Sequence, residues 1–161
     1  MIIEPKPPYG YTIFCDDIRQ EVNGKTTHVG IYAGEMSIVS EGNAVIPQLC
    51  ALLVYRDLPD TMLTRPVLYK LIRSSDKGEQ VLLEAPFNPP PDLKIREAPQ
   101  IGRQDGTNFT EIRLEAKLAP FIVEESCLLK SRIYVGDDEV LCGALRVILV
   151  TPDQVPTGVV H

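Results

Sequence analysis

Apolar and polar residues alternate along much of the chain, and they do so most regularly between residues 109 and 118. In that segment apolar side chains occupy every second position from Ile112 to Leu118, and charged side chains stand between them. Successive side chains of a β-strand point to opposite faces of a sheet, whereas a helix would scatter these apolar positions around its axis. The segment is therefore predicted to be a strand with one solvated face.

Three pairs of strand-like segments are separated by turn residues and predict β-hairpins. Asn23-Gly24 lies between Tyr11–Ile18 and Thr26–Ala33, and this dipeptide favours the tight turns that join antiparallel strands. The other two predicted hairpins are residues 65–86, with a turn at 74–78, and residues 128–150, with a turn at Gly136-Asp137-Asp138.

Residues 46–56 form the most apolar stretch of the chain. Short apolar runs of this kind are compatible with a strand buried on both faces and with a short buried helix, because periodicity does not separate the two. The surrounding strand-like segments favour a central strand, which the chain enters through Pro47.

These segments together predict an all-β protein with about eight or nine strands and no amphipathic helix. A single open sheet of that size would leave one apolar face without a partner layer. We therefore expect a two-sheet antiparallel β-sandwich, immunoglobulin-like or related. It would occupy residues 10–151 as one domain, between an N-terminal extension at 1–9 and a C-terminal tail at 152–161.

The segment from about Pro86 to Asn108 interrupts the alternation and contains a run of three prolines. Connections this long are uncommon in compact domains and often carry function. Local positive charge from Lys94, Arg96 and Arg103 makes the segment a candidate contact surface. The alternative is a crossover between the two sheets that contains a short edge strand.

The formal net charge of -6 and the scattered cations argue against binding to nucleic acid or to an anionic membrane surface. The first residues lack the basic and apolar regions of a secretory signal, and no apolar run is long enough to span a bilayer. A cytoplasmic location is expected.

The four cysteines lie far apart in the sequence, without the paired spacing of a zinc or redox motif. Most of them fall within apolar strand-like runs, where a cysteine usually serves as a small buried hydrophobic residue. We therefore expect reduced structural thiols, and we expect neither a bound metal nor a cofactor.

The segment with the highest concentration of reactive groups includes Asp16, Asp17 and Arg19. It places two carboxylates and a guanidinium beside Cys15. Adjacent strand residues point to opposite faces, so the two carboxylates would converge on one ion only where the strand bends. The alternative is a structural role at a strand end, with an ion pair to Arg19.

Residues suited to nucleophilic catalysis are few. The only histidines are His28, in a predicted strand, and His161, at the terminus, so a relay to serine or cysteine would have to use His28. The chain also lacks glycine-rich phosphate-binding loops, the Gly-x-Ser-x-Gly motif of serine hydrolases and the His-Glu-x-x-His motif of zinc proteases, which are typical of common enzymes. The sequence therefore favours a protein that is not an enzyme.

The segment from Phe14 to Glu21, followed by Asn23-Gly24-Lys25 and Gly30-Ile31-Tyr32, resembles the opening of a family of small bacterial and phage proteins of unknown function. Members of that family look alike in a Cys-Asp-Asp-Ile-Arg stretch, a Gly-Lys turn and a Gly-Ile-Tyr or Gly-Val-Tyr strand. The resemblance implies a β-rich fold and a bacterial or phage accessory protein, but no particular activity.

The sequence thus favours a non-catalytic binding or assembly module that contacts a protein partner or a second copy of itself, with a homodimer as the simplest outcome. Its alternative is a small-molecule or divalent-metal site, possibly hydrolytic, organised around Asp16 and Asp17.

Overall fold

A computed structural model describes residues 6–58, 61, 64–88 and 109–154. The described residues form eleven strands and two short 3₁₀ turns. The strands are β1 (Tyr9–Gln20), β2 (Thr26–Tyr32), β3 (Glu35–Val39), β4 (Ala44–Ile46), β5 (Leu49–Asp57), β6 (Val67–Ser75), β7 (Gly78–Phe87), β8 (Thr110–Leu118), β9 (Phe121–Val123), β10 (Cys127–Val135) and β11 (Asp138–Val150).

Two larger sheets build the molecule. The four-stranded sheet has the order β2-β1-β5-β8, and all its neighbouring strands are antiparallel. The five-stranded sheet has the order β3-β11-β10-β6-β7. A third, two-stranded sheet pairs β4 with β9. The all-β sandwich predicted from alternation is confirmed.

The core lies between the two larger sheets and takes one face from each. Leu53 of the four-stranded sheet and Leu129 and Leu145 of the five-stranded sheet are fully buried in the same apolar cluster. Burying a side chain of this size contributes roughly 1.5–3 kcal/mol. Across the core, the Thr12 hydroxyl donates to Ser131 Oγ at 2.6 Å, so the buried hydroxyl of Ser131 has a partner from the opposite sheet.

The three predicted hairpins are confirmed. β1 pairs with β2, β6 with β7 and β10 with β11, each in antiparallel register. At the first turn Asn23 and Gly24 both have a φ of 73°, the left-handed conformation that an Asn-Gly dipeptide adopts readily.

The apolar segment at 46–56 is a strand rather than a helix. It forms β5, which lies between β1 and β8 and is buried on both faces for most of its length. The predicted strand at 109–118 is β8, whose Ile112 and Ala116 face the core.

The structure differs from the prediction in three details. It contains eleven strands rather than eight or nine, since β4 and β9 have only three residues each, too few to show alternation. One pair is not antiparallel, because β3 runs parallel to β11. The irregular segment expected from Pro86 begins slightly later, because β7 continues to Phe87.

Candidate functional site

Asp16 and Asp17 lie where β1 separates from β5. The pairing of these two strands ends at Cys15, which is directly opposite Cys50. Beyond that pair β1 continues with β2 alone, from Asp17 opposite Val29 to the turn. We call this point the corner, and it is formed by Asp16, Asp17, Gly30, Tyr32 and Gln48.

The carboxylate of Asp16 is held over the backbone of β2. The Tyr32 hydroxyl donates a hydrogen bond to Asp16 Oδ1. Gly30 has a φ of 65°, and a Cβ atom at this glycine would lie 1.9 Å from Asp16 Oδ2. Burial and the bond to Asp16 raise the pKa of the Tyr32 hydroxyl to about 12. In its present position the Asp16 carboxylate therefore fits only because residue 30 has no side chain.

Asp17 has different partners from Asp16. Arg19 Nε donates to Asp17 Oδ2 at 3.1 Å, and Gln48 Nε2 donates to Asp17 Oδ1 at 3.0 Å. These two bonds lower the pKa of the Asp17 carboxyl. Gln48 Nε2 also donates to the Asp16 carbonyl oxygen at 3.0 Å. This bond holds the segment before β5 against β1.

The corner does not gather its carboxylates around a common point. Asp16 is bonded to Tyr32, whereas Asp17 is bonded to Arg19 and Gln48. Within the described residues, no group of three or more His, Cys, Asp or Glu side chains is placed to hold a metal ion. At the corner these side-chain bonds connect β1 to Tyr32 of β2 and to Gln48, which precedes β5.

Two thiols lie beneath the corner. Cys15 and Cys50 are buried, and their sulfur atoms donate to the carbonyl oxygens of Asp17 and Asp16 at 3.5 and 3.8 Å. Burial raises the pKa of Cys15 to about 11 and also raises that of Cys50. All four cysteines of the chain are buried and form no disulfide. Because buried thiols with a raised pKa react slowly, these side chains contribute to packing.

The distal half of the first hairpin crosses the outer face of the four-stranded sheet. Gln20 Nε2 donates to Glu115 Oε1 at 2.9 Å. Because β5 lies between β1 and β8, this bond requires the end of β1 to pass over β5. Leu52, which is opposite Glu115 in the register, lies beneath the crossing and is only 7% exposed.

A cleft of about 690 Å³ lies between the hairpin and the sheet. We call it the hairpin cleft. The hairpin contributes Gly24, Lys25, Thr26 and His28 to its walls, and the sheet contributes Leu52, Arg113 and Glu115. His28 Nε2 is buried and has no hydrogen-bond partner in the part of the chain that the structure describes.

Apolar side chains continue along the outer face of the sheet, away from the hairpin. Tyr11 is opposite Val54, Ile13 is opposite Leu52, and Ile31 of the edge strand β2 is opposite Cys15. Tyr11 and Ile31 are 44% and 60% exposed. We call this row the outer strip, defined by Tyr11, Ile13, Ile31 and Val54.

The structure describes three of the six residues proposed from the sequence: Asp17 and Arg19 form an ion pair, whereas Asp16 bonds to Tyr32 instead. The other three, Lys94, Arg96 and Arg103, lie outside the described residues together with most of the segment at 86–108. In the acidic turn between β10 and β11, Asp138 forms an ion pair with Arg65 at 2.8 Å.

Sequence reasoning missed Tyr32 and Gln48 as members of the corner. The resemblance included Gly30-Ile31-Tyr32 but assigned Tyr32 no role, and Gln48 precedes β5 by one residue, so no pattern marked either one as a partner of the two aspartates. The hairpin cleft was missed as well, because it depends on the crossing of the hairpin over β5.

Comparisons with known proteins identify no relative of this chain. No family model, no curated protein and no solved structure matches it. Among the described residues, no helix has the length and apolar character needed to cross a membrane. Inference about function therefore starts from the geometry of the corner, the hairpin cleft and the outer strip.

Proposed function

We propose that the protein is a non-catalytic binding module that associates with a second copy of itself through β2 and the outer strip. β2 is an edge strand, since its one neighbour in the four-stranded sheet is β1. Unpaired backbone groups of an edge strand form hydrogen bonds with another strand unless charges, prolines or bulges prevent it.

The proposal rests on a difference in charge between β2 and the other edge strands. The other three strands at the edges of the two larger sheets contain charged residues: Glu35 in β3, Glu79 and Glu84 in β7, and an alternating charged face in β8. β2 contains no Asp, Glu, Lys or Arg. By charge, β2 is therefore the least protected of the four edges, and Gly30, with a φ of 65°, interrupts its extended backbone.

Ile31 and Tyr11 are the exposed members of the outer strip and extend this edge into a surface, whereas Ile13 is half-buried and Val54 is buried. Ile31 lies on β2 itself, and Ile13 and Tyr11 follow on the neighbouring strand. Two antiparallel copies of β2 would place these residues on the same face of a continuous eight-stranded sheet, in a self-complementary interface of twofold symmetry. Apolar burial would then add to the backbone hydrogen bonds.

The bonding at the corner supports a structural rather than a catalytic role for the carboxylates. Each is engaged by neutral or cationic donors that determine where the hairpin lies, and the hairpin carries β2. On this proposal, Asp16 and Asp17 position the edge that forms the interface.

Sedimentation equilibrium of the wild-type chain and two matched lysine variants tests the proposal. We expect a wild-type dimer that Ile31→Lys converts to a monomer, because a buried unpaired ammonium is costly at the interface. Ile122→Lys is the control, since Ile122 is 44% exposed on β9, away from the proposed interface, and its variant should remain dimeric.

A wild-type chain that stays monomeric at the highest attainable concentration would overturn the proposed dimer. So would an Ile31→Lys variant that dimerises as tightly as the wild type. Circular dichroism of each variant shows whether the sheet is intact, so that a change in mass is not confused with unfolding.

A further inference from the structure

We propose that the hairpin cleft binds a small organic anion that carries a carboxylate or phosphate group, a property that goes beyond the proposed dimer. The cleft volume of about 690 Å³ falls within the range of small-molecule sites, which is roughly 300–1,000 Å³. Its walls come from two elements that are far apart in sequence, the first hairpin and the β5–β8 pair.

The cations of the cleft have donor capacity to spare. Lys25 forms no ion pair within the described part of the chain. Arg113 uses its Nε to bond Glu111 at 2.6 Å, and that carboxylate is shared with Arg56, also at 2.6 Å. One carboxylate thus serves two guanidinium groups, which leaves net positive charge beside the cleft.

The one carboxylate in the wall is already engaged. Glu115 Oε1 accepts from Gln20 Nε2 at 2.9 Å. With Lys25 and Arg113 as cations and Glu115 as the single anion, the cleft is positive within a chain whose net charge is -6. A small anion would be attracted to this place, and a guanidinium matches the geometry of carboxylate and phosphate oxygens.

The remaining walls of the cleft include His28 and Leu52. His28 Nε2 is buried without a partner among the described residues, so this atom is not accessible to a molecule in the cleft. Leu52 supplies an apolar surface at the sheet side of the cleft. The arrangement fits a ligand with an acidic group toward Lys25 and Arg113 and an apolar part against Leu52.

Nuclear magnetic resonance titration tests the site. The ¹⁵N-labelled protein is titrated at constant ionic strength with inorganic phosphate and, separately, with benzoate, which combines a carboxylate with an apolar ring. We expect saturable shifts of amide signals in residues 24–28 and 113–115 with at least one probe. The stronger binder identifies which acidic group the cleft prefers.

Charge-removing variants locate the binding. Lys25→Met and Arg113→Met should each weaken the binding of the preferred probe about tenfold, as expected for the loss of one charge-assisted contact. Lys77→Met removes a cation from the turn between β6 and β7, where Lys77 lies near Glu124 and Glu125, and should leave binding unchanged.

Shifts that rise linearly without saturation for both probes would overturn the proposal, as would saturable shifts that persist unchanged in Lys25→Met and Arg113→Met. An equal loss in Lys77→Met would also overturn it, because the response would then report the overall charge of the protein rather than this cleft.

Discussion

Gly30 is the residue on which the path of the first hairpin depends most directly. Its φ of 65° is unfavourable for residues with a side chain, and the Asp16 carboxylate occupies the space that a Cβ atom would take. The two requirements are independent, because one is a property of the backbone and the other is a contact with β1. Residue 30 therefore constrains both strands of the hairpin at once.

We predict that Gly30→Ala destabilises the protein more than Gly24→Ala does. Gly24 has a similar φ of 73° but no atom near its missing Cβ, so its variant loses about 1–2 kcal/mol for the left-handed conformation alone. In Gly30→Ala the Asp16 side chain must also move, and the loss of its hydrogen bond to Tyr32 adds about 1 kcal/mol. Chemical denaturation of both variants measures the difference.

A second background isolates the contact at residue 30. When Asp16→Ala has already removed the carboxylate, the excess cost of Gly30→Ala over Gly24→Ala should fall to what the remaining 3.2 Å contact with the Cβ of residue 16 imposes. Equal losses for the two glycine variants in the wild-type chain would contradict the proposed conflict with Asp16.

The two glycines also show what a sequence reveals about single residues. The turn at Asn23-Gly24 was predictable because its preference lies within two neighbouring residues. The requirement at Gly30 was not, since it comes from Asp16 on another strand. For the same reason Asp16 and Asp17 could be recognised as unusual, whereas Tyr32 and Gln48 acquire their roles only when the strands meet.

At the scale of elements, the first hairpin behaves as two parts. Its proximal half belongs to the four-stranded sheet, because β1 there pairs with both β2 and β5. Its distal half has left β5, and polar bonds such as those from Gln48 to Asp17 and from Gln20 to Glu115 hold it over the sheet. The distal half should therefore be the first part of this sheet to loosen.

We predict that acid loosens the distal half of the hairpin before the whole domain unfolds. The folded-state pKa of Asp17 is lowered by its bonds to Arg19 and Gln48, so its carboxylate stabilises the fold above its unfolded pKa of about 4. That contribution is lost as the pH falls through the folded pKa. Amide hydrogen exchange of residues 17–28 as a function of pH measures the loss.

Asp17→Asn should remove this pH dependence and raise exchange in the hairpin already at neutral pH. Asp137→Asn, in the turn between β10 and β11, removes a carboxylate far from the hairpin and serves as the matched control. If amide exchange in the hairpin has the same pH dependence in wild type and Asp17→Asn, the proposed contribution of the Asp17 carboxylate to the hairpin is wrong.

The elements that the sequence did not predict share a physical cause. Strands β4 and β9 have three residues each, so they are stabilised by their mutual pairing and not by a recognisable pattern of their own. β3 follows β2 closely in the chain, yet it joins the other sheet. Alternation identifies a strand and its buried face, but it does not identify the partner.

At the scale of the whole molecule, the four cysteines lie in different parts of the fold. Cys15 and Cys50 lie beneath the corner, whereas Cys127 and Cys142 belong to the core between the sheets. All four are buried, and burial raises the pKa of each thiol, to about 11 for Cys15 and Cys142. Cys127 and Cys142 therefore report whether the two sheets are closed, and Cys15 and Cys50 report whether the corner is closed.

We predict that a disulfide reagent at mildly alkaline pH modifies none of the four thiols rapidly in the folded protein and all four after denaturation. The thiolate is the reactive form, and both burial and the raised pKa values suppress it. A colorimetric thiol count in the absence and presence of denaturant measures the effect. A thiol that reacts in the folded protein as fast as a free cysteine would contradict this packing.

The parallel pairing of β3 with β11 determines when the protein can finish folding during its synthesis. Met36 is opposite Val147, so β3 leaves the ribosome long before its partner, and β11 must also lie between β3 and β10. Closing so long a loop is entropically costly, and contacts of this range slow folding. A nascent chain can assemble β1, β2 and β5 early, whereas β3 stays without its partner until β11 has been synthesised.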